Sequence, residues 1–537
     1  MVAPILDRFR DELSRIGLGY TRDPKKTDPS GLLYKSGLYH YDVGTSRCKK
    51  RVHMRVAADM SAVVFVDVTN VIHLNQSAAE ITWLALENVP MEIARKQLFR
   101  RYNSADRGQL TKDLQRLYEM VNSFGSQDAF CPNCSMPGIE QAPAFSLPTE
   151  APYKVDLALT YGCNNHCIHC YNVPDRYPMP SLSKAMWIDV IDKLHKIGVP
   201  HLIFTGGEAT LHPDLPELIT YGESRGMITG LNTNGRRLSY APYMRQLVAA
   251  GLNHVQITLA SHQAQLHDQV MGASAFAQTV RGIKNAVGSD IHVITNTTLT
   301  SRNCQEVTAI LDFLHDLGIR TFAMNGMIHS GGGQSNPDAI LPEKLTPILT
   351  RVRDESRARN MRFLWYTPTE YCRLSPIEID IGAKRCNAGE YSLCIEPNGD
   401  VLPCQSFYVA AGNILRDSWE MIWQSDLFLS FRNRELNPES AGLPEKCWNC
   451  PEMALCGGGC RIEHQANNND NLEGLFPGST ISLQSIRSPH PGDLSSDRCF
   501  VPPAGAASTH IRGTGARKRQ LATEGTDFQG INQCQAC

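Results

Sequence analysis

The sequence predicts an α/β protein built around a partial (β/α)6 barrel, with a small winged-helix-like α+β domain before it and a cysteine-rich domain after it. Three observations carry this expectation. Strand and helix patterns alternate from Val155 to about Tyr366, a compact strand-then-helix unit precedes them, and cysteines crowd the chain from Cys386 onward. Such alternation implies a parallel sheet with crossover helices, and six strand patterns give an open, TIM-like partial barrel. Chemistry in such a fold sits at the C-terminal ends of the strands.

The elements follow in order. Residues 1–50 are set aside as an N-terminal segment. Residues 51–125 form a small domain in which "AVVFVDV" and "NVIHLN" read as strands, and "SAAEITWLAL", "MEIARKQLFRRY" and "LTKDLQRLYEMVNSF" read as helices. A Pro-rich linker spans 126–153. The barrel takes 154–370, its strand patterns being "KVDLALT", "HLIFTGGE", "MITGLNTNG", "HVQITLA", "HVITNTTLT" and "RTFAMNGMI". Cysteine-rich chain fills 371–500, where "CIEPNGDVLPC" reads as a hairpin turning at Asn398-Gly399. The tail, 501–537, holds few large apolar residues and reads as flexible.

Composition narrows the function. With 52 basic and 54 acidic residues among 537, nothing global favours nucleic acid or an anionic membrane. No run approaches the roughly 18 apolar residues of a membrane span, and the N-terminus lacks the marks of a targeting peptide. A cytoplasmic protein is expected. In a reducing compartment, 18 clustered cysteines read as metal ligands rather than disulfides. Cys48, Cys304 and Cys372 stand alone and read as small buried hydrophobes.

The first strand pattern runs into "YGCNNHCIHCYN", which places Cys163, Cys167 and Cys170 on one short loop as C-x3-C-x2-C. The spacing is wrong for a paired zinc knuckle. Three thiolates can hold three irons of a [4Fe-4S] cube and leave the fourth open to a small molecule. The next strand ends in "FTGGEAT", where glycines admit a close ligand and a carboxylate can accept from an ammonium. Later strand ends carry "LNTNG", "QITLASH" and "ITNTTLT", the last with Asn296. Each polar residue there also reads as a cap or turn former.

By this loop and the GGE motif, the chain resembles the radical S-adenosylmethionine (radical SAM) family. The resemblance implies that the cofactor's methionine moiety chelates the open iron and that Thr205, Gly206, Gly207 and Glu208 meet its amino end. It also implies cofactor contacts from Asn232, Asn234 and Ser261, with His169 in the place of the usual aromatic residue. The expected chemistry is reductive cleavage to a 5′-deoxyadenosyl radical that abstracts an unactivated hydrogen. No side chain is assigned as acid or base.

Farther on, the pattern C-x12-G-x4-C, then C-x2-C-x5-C-x3-C, then a lone cysteine, resembles the SPASM extension of that family. The resemblance implies two auxiliary [4Fe-4S] clusters: one on Cys386, Cys394, Cys404 and Cys460, the other on Cys447, Cys450, Cys456 and Cys499. Cys394 as a bystander would leave an open iron for substrate, and Cys534 or Cys537 could replace Cys499. Cys131/Cys134 and Cys534/Cys537 read either as two half-sites for one zinc or iron, or as thiols without a shared role.

The small N-terminal domain, through "VIHLNQSAAEITWLALENVPMEIARKQLFRRY", resembles the peptide chaperone of pyrroloquinoline quinone biosynthesis, the leader-recognition element of peptide-modifying enzymes. A winged helix-turn-helix gives a similar pattern. Together the three parts imply a maturase acting on a ribosomally made precursor peptide, held by its leader and supplied by a flavodoxin- or ferredoxin-type electron donor. A thioether or carbon–carbon crosslink is the leading expectation. The alternatives are a sulfatase-maturase or quinone-cofactor type of enzyme, or a non-catalytic iron–sulfur carrier or regulator.

Overall fold

The computed structural model describes residues 34–45, 48–67, 70–103, 105–125, 145 and 149–468. Cys131, Cys134, Cys499, Cys534 and Cys537, with the tail from residue 501, lie outside the described residues.

Four antiparallel strands open the fold: β1 (Gly37–Thr45), β2 (Cys48–Val56), β3 (Ala62–Val66) and β4 (Asn70–Leu74), paired in sequence order. Helices α1 (Gln76–Leu86), α2 (Met91–Arg101) and α3 (Arg107–Ser123) follow. The Asn75 side chain starts α1 by accepting from the amide of Ala78 at 2.9 Å, as an N-cap should. The sheet begins before the boundary expected at residue 51. β1 reads "GLYHYDVGT" and is mostly half-buried, so it carries no apolar run to announce it.

Strand β2 shows how this domain is docked. Its side chains alternate with period two. Val52, Met54 and Val56 enter the core made with the three helices, while Arg51, His53 and Arg55 face the barrel. The Arg51 guanidinium grips the Glu223 carboxylate in a two-bond fork, at 2.7 and 2.6 Å. His53 Nε2 lies 2.7 Å from the carbonyl of Gly226, and Arg55 donates to the carbonyls of Ala151 and Pro152 at 3.1 Å each. Burial holds His53 neutral, pushing its pKa down to about 3. Phe65 and Tyr391 flank Tyr153, with ring centroids 4.9 and 5.0 Å away, so aromatic packing extends the contact into the C-terminal region.

The barrel is a parallel sheet of β5 (Lys154–Thr160), β6 (His201–Gly206), β7 (Ile228–Thr233), β8 (His254–Thr258), β9 (His292–Thr298) and β10 (Thr321–Asn325), each paired with the next. These are the six expected strands. A seventh parallel strand, β11 (Arg362–Trp365), adds to β10. Its four residues were too short to stand out in the sequence. Crossover helices include α4 (Lys184–Ile197), started by a Ser183 cap and ended by Gly198 in a left-handed conformation, φ +96°. Val155, Leu157 and Leu159 point from β5 into the apolar layer between sheet and helices, where Trp187, Ile191 and Leu194 of α4 are fully buried.

On the other side of β5 the sheet continues into the cysteine-rich region. Strand β12 (Ser392–Ile395) runs parallel to β5, with Cys394 opposite Asp156, and then turns back into β13 (Asp400–Leu402), followed by β14 (Gly412–Asn413). The Asn398-Gly399 turn is as expected, Gly399 sitting at φ +89°. Ten strands thus form one sheet in the order β11-β10-β9-β8-β7-β6-β5-β12-β13-β14. Among the described residues no helix is long and apolar enough to cross a membrane.

Candidate functional site

The cysteine loop leaves β5 through an irregularity in its pairing with β6, between Ala158 and Thr160. Such breaks re-aim side chains at functional ends of sheets. The loop is fixed by its main chain. His166 and Ile168 donate their amides to the carbonyls of Met271 and Val270 at 3.0 Å each, and Gly332 donates to the carbonyl of Cys170 at 2.7 Å. Arg236 clasps the same loop through the carbonyl of Asn164 and, at 3.0 Å, the side chain of Asn165, while Asn234 donates to Asn164 Oδ1 at 2.7 Å.

Cys163, Cys167 and Cys170 are free thiols, partly buried. Burial raises Cys163 to about 11 and Cys167 to about 12, the charges of neighbouring thiols adding to the effect, and burial raises Cys170 as well. As free groups they stay protonated near neutrality; bound to iron they would be thiolates. Among the described residues no group of three His, Cys, Asp or Glu is gathered for a single metal ion. A four-iron cube takes each thiolate on a separate iron, so three thiols on one loop fit it better than they fit one cation.

The GGE strand end is pressed against this loop. A Cβ on Gly206 would lie 2.1 Å from the carbonyl oxygen of Thr160, and one on Gly207 2.4 Å from that of Tyr161, so only glycine fits at either position. Glu208 is fully buried, and its carboxylate accepts from four protein donors. They are the amide and hydroxyl of Thr210 (3.1 and 2.5 Å), the Thr233 hydroxyl (2.6 Å) and the Asn234 amide (2.8 Å). Three of these donors meet Oε1 and one meets Oε2, so Oε2 keeps room for a further donor. Glu208 therefore ties the end of β6 to the end of β7, an arrangement the motif did not foretell.

The other expected contacts sort by position. Thr205 is buried on β6, and Asn232 is half-buried on β7. Ser261 is fully buried after β8; its hydroxyl accepts from the Gln263 amide at 3.0 Å and donates to Glu306 at 3.2 Å. This is the turn-forming role that polar strand-end residues also allow. His169 is held neutral by burial, its pKa lowered to about 4, and its Nδ1 is buried without a protein partner. Asn296 Oδ1 and Asn165 Nδ2 are likewise buried without partners. His169 and Asn165 lie on the thiol loop and Asn296 on β9, and buried polar atoms left without protein partners call for another partner such as a ligand.

Sequence reasoning missed the bridge between the two cysteine regions. The Tyr171 hydroxyl, one residue after Cys170, donates at 2.9 Å to Gln405, one residue after Cys404. The Tyr408 hydroxyl reaches the carbonyl of Tyr171 at 3.1 Å and the side chain of Asn172 at 3.2 Å. Glu396, after β12, accepts from the Tyr161 hydroxyl at 2.8 Å and pairs with Arg176. Their adjacency to cysteines was the one available signal.

In the C-terminal field the thiols fall into neighbourhoods. Cys460 feels the charge of Cys386, Cys394 that of Cys404, and Cys447 that of Cys456. The first two pairings join members of the set expected for the first auxiliary cluster, and the third joins members of the second. Cys394 is fully buried among Ala158, Tyr161 and Leu402 on the hairpin. Cys304 is buried as expected but is disulfide-bonded rather than alone, and Cys372 is exposed and stands near Cys447 and Cys456. Reading it as a buried hydrophobe is therefore corrected: the chain around it follows the cysteine loop rather than an apolar core.

Comparison with known proteins agrees with this geometry. The model of the Radical SAM superfamily matches residues 157–314, and that of the SPASM iron–sulfur cluster-binding domain matches 386–451. The chain is 30% identical over 322 residues to mycofactocin maturase MftC of Mycobacterium ulcerans, covering 58% of this chain and 83% of that protein. It is 29% identical over 342 residues to AdoMet-dependent heme synthase of Methanosarcina barkeri, covering 60% of this chain and 95% of that protein. Among solved structures, Streptococcus suis SuiB bound to S-adenosylmethionine superposes with a TM-score of 0.56 at 18% identity, over 77% of this chain and 95% of that one. SuiB bound to its precursor peptide SuiA gives 0.52 at 16%, over 76% and 94%.

Proposed function

The chain belongs to the radical SAM superfamily and carries a SPASM iron–sulfur domain, and from that premise we propose that it modifies a ribosomally made precursor peptide by oxidation. When bound, the cluster and S-adenosylmethionine supply one electron and a carbon radical able to take an unactivated hydrogen, chemistry outside the side-chain repertoire. Cys163, Cys167 and Cys170 would hold that cluster. Thr205, Gly206, Gly207, Glu208, Asn232, Asn234 and Ser261 would hold the cofactor, with His169 and Asn296 offering unmet polar atoms. Glu208 also keeps the ends of β6 and β7 in register.

The observation that carries the peptide reading is the docked N-terminal sheet. Its face is anchored by the Arg51–Glu223 fork and the His53–Gly226 contact, and among the described residues β1 and β4 are its outer strands. An extended leader can add to such an edge through main-chain bonds, raising the local concentration of the core peptide. Two auxiliary clusters in the C-terminal cysteine field would pass the substrate electron outward, and a flavodoxin- or ferredoxin-type donor in the cytoplasm would start the cycle. The favoured product is a thioether or carbon–carbon crosslink. The likeness to a heme synthase keeps a small-molecule precursor as the second reading.

Anaerobic co-expression with the short open reading frames beside the gene, followed by exact-mass measurement, tests this. Loss of two hydrogens from one peptide is the expected result. No mass change in any peptide, with no exchange from deuterated solvent, overturns the peptide reading in favour of the small-molecule one.

A further inference from the structure

The second auxiliary site has three obvious thiols, Cys447, Cys450 and Cys456, and needs a fourth. Cys460 is expected in the first cluster, where the charge of Cys386 acts on it. A different segment, 369–373, lies along the loop that bears the three. The Tyr371 amide donates to Cys456 Sγ at 3.3 Å, and that thiol reaches the carbonyl of Thr369 at 3.6 Å. Gly457, Gly458 and Gly459 all have left-handed φ angles, of 62°, 77° and 76°. This bend brings the loop so close that a Cβ on Gly459 would stand 3.0 Å from the amide nitrogen of Glu370. The Lys446 ammonium is held at 2.9 Å by Glu370 and also feels the charges of Cys372 and Cys447.

Cys372 therefore projects from the residue next to a main-chain contact with Cys456, its Cα about 3.8 Å along the chain from that of Tyr371. It neighbours both Cys447 and Cys456. We propose that Cys372 is the fourth ligand of the second auxiliary cluster, completing a thiolate set with Cys447, Cys450 and Cys456. This rests on the reading that the SPASM domain holds two cubes. It moves the last ligand from the far C-terminal side of the field to the segment just after the barrel, and the barrel's final strand then leads directly into the cluster. Amide-to-sulfur bonds such as that from Tyr371 are among the means by which proteins tune a cube's potential.

The test uses the full chain, reconstituted without oxygen, with iron and sulfide counted and Mössbauer and reduced-state EPR spectra recorded for Cys372→Ala, Cys372→Ser, Cys499→Ala and Cys447→Ala. Cys372→Ala should lose about four of about twelve irons per chain, or show a three-iron signal, with the other two cubes intact. Cys372→Ser, able to ligate through oxygen, should keep more iron with an altered EPR signal. Cys499→Ala should match the wild type. Because Cys372 is exposed, its truncation removes no core packing. Wild-type iron and spectra in Cys372→Ala, with the loss appearing in Cys499→Ala, overturn the proposal. Wild-type iron in Cys447→Ala would instead overturn the two-cube reading on which it rests.

Discussion

The loop of Cys163 to Cys170 and the C-terminal cysteine field hold their thiols by different means. The loop hangs from one strand end, and its main chain is bonded to neighbouring segments at His166, Ile168 and Cys170. The field is assembled from segments distant in sequence, and buried charge joins them. Arg385 donates two bonds to Glu390, at 2.7 and 2.8 Å, and Arg434 adds one at 3.0 Å, all three side chains being nearly sealed from solvent. Arg385 also donates to the carbonyl of Ala454, beside Cys456, at 2.9 Å. Local geometry sets the first site and long-range electrostatics the second, so the two should fail separately.

The largest effect expected is on the loop. Cys163→Ala, Cys167→Ala or Cys170→Ala should abolish reductive cleavage of S-adenosylmethionine, followed as 5′-deoxyadenosine release, while the iron of the C-terminal field stays in place. Full cleavage in any of them would break both the assignment and the comparison. Next is Glu390→Gln, which leaves the buried Arg434 guanidinium without its anion and Arg385 with Glu435 alone. Removing one partner of such a set costs about 3–5 kcal/mol. Chemical denaturation should show the C-terminal region melting early, with its iron lost and that of the barrel loop retained. An unchanged midpoint would mean that the field is not held by charge.

The smallest effect concerns the bridge. Tyr171→Phe deletes the bond to Gln405 and should cost about 1 kcal/mol. A double-mutant cycle with Gln405→Ala should return a coupling of about 0.5–1.5 kcal/mol. A coupling of zero would leave the bridge to the Tyr408 and Glu396 contacts.

The same contrast explains what the sequence made legible. The barrel strands announce themselves through apolar runs, and Cys163, Cys167 and Cys170 through a spacing confined to one loop, because those features are local. The Asn398-Gly399 turn is read for the same reason. Cys372 was misread because the partners that give it meaning lie far along the chain, brought back by Tyr371 and the Gly457–Gly459 bend. Glu208 kept its place, but its four donors come from two strand ends that no motif joins. β1 escaped notice because it buries neither face fully, and β11 because a four-residue strand has no period to detect.

The docking of the N-terminal sheet has one more consequence. Its barrel contacts, at Ala151, Pro152, Glu223 and Gly226, all lie just before strands begin, whereas the cysteine loop lies where β5 ends. Anchor and radical source are therefore at opposite ends of a strand of seven residues, about 23 Å long at about 3.3 Å per residue. On the proposed leader-binding role, a precursor held at this sheet would have to run from one end of the barrel strands to the other before its target reached the cysteine loop.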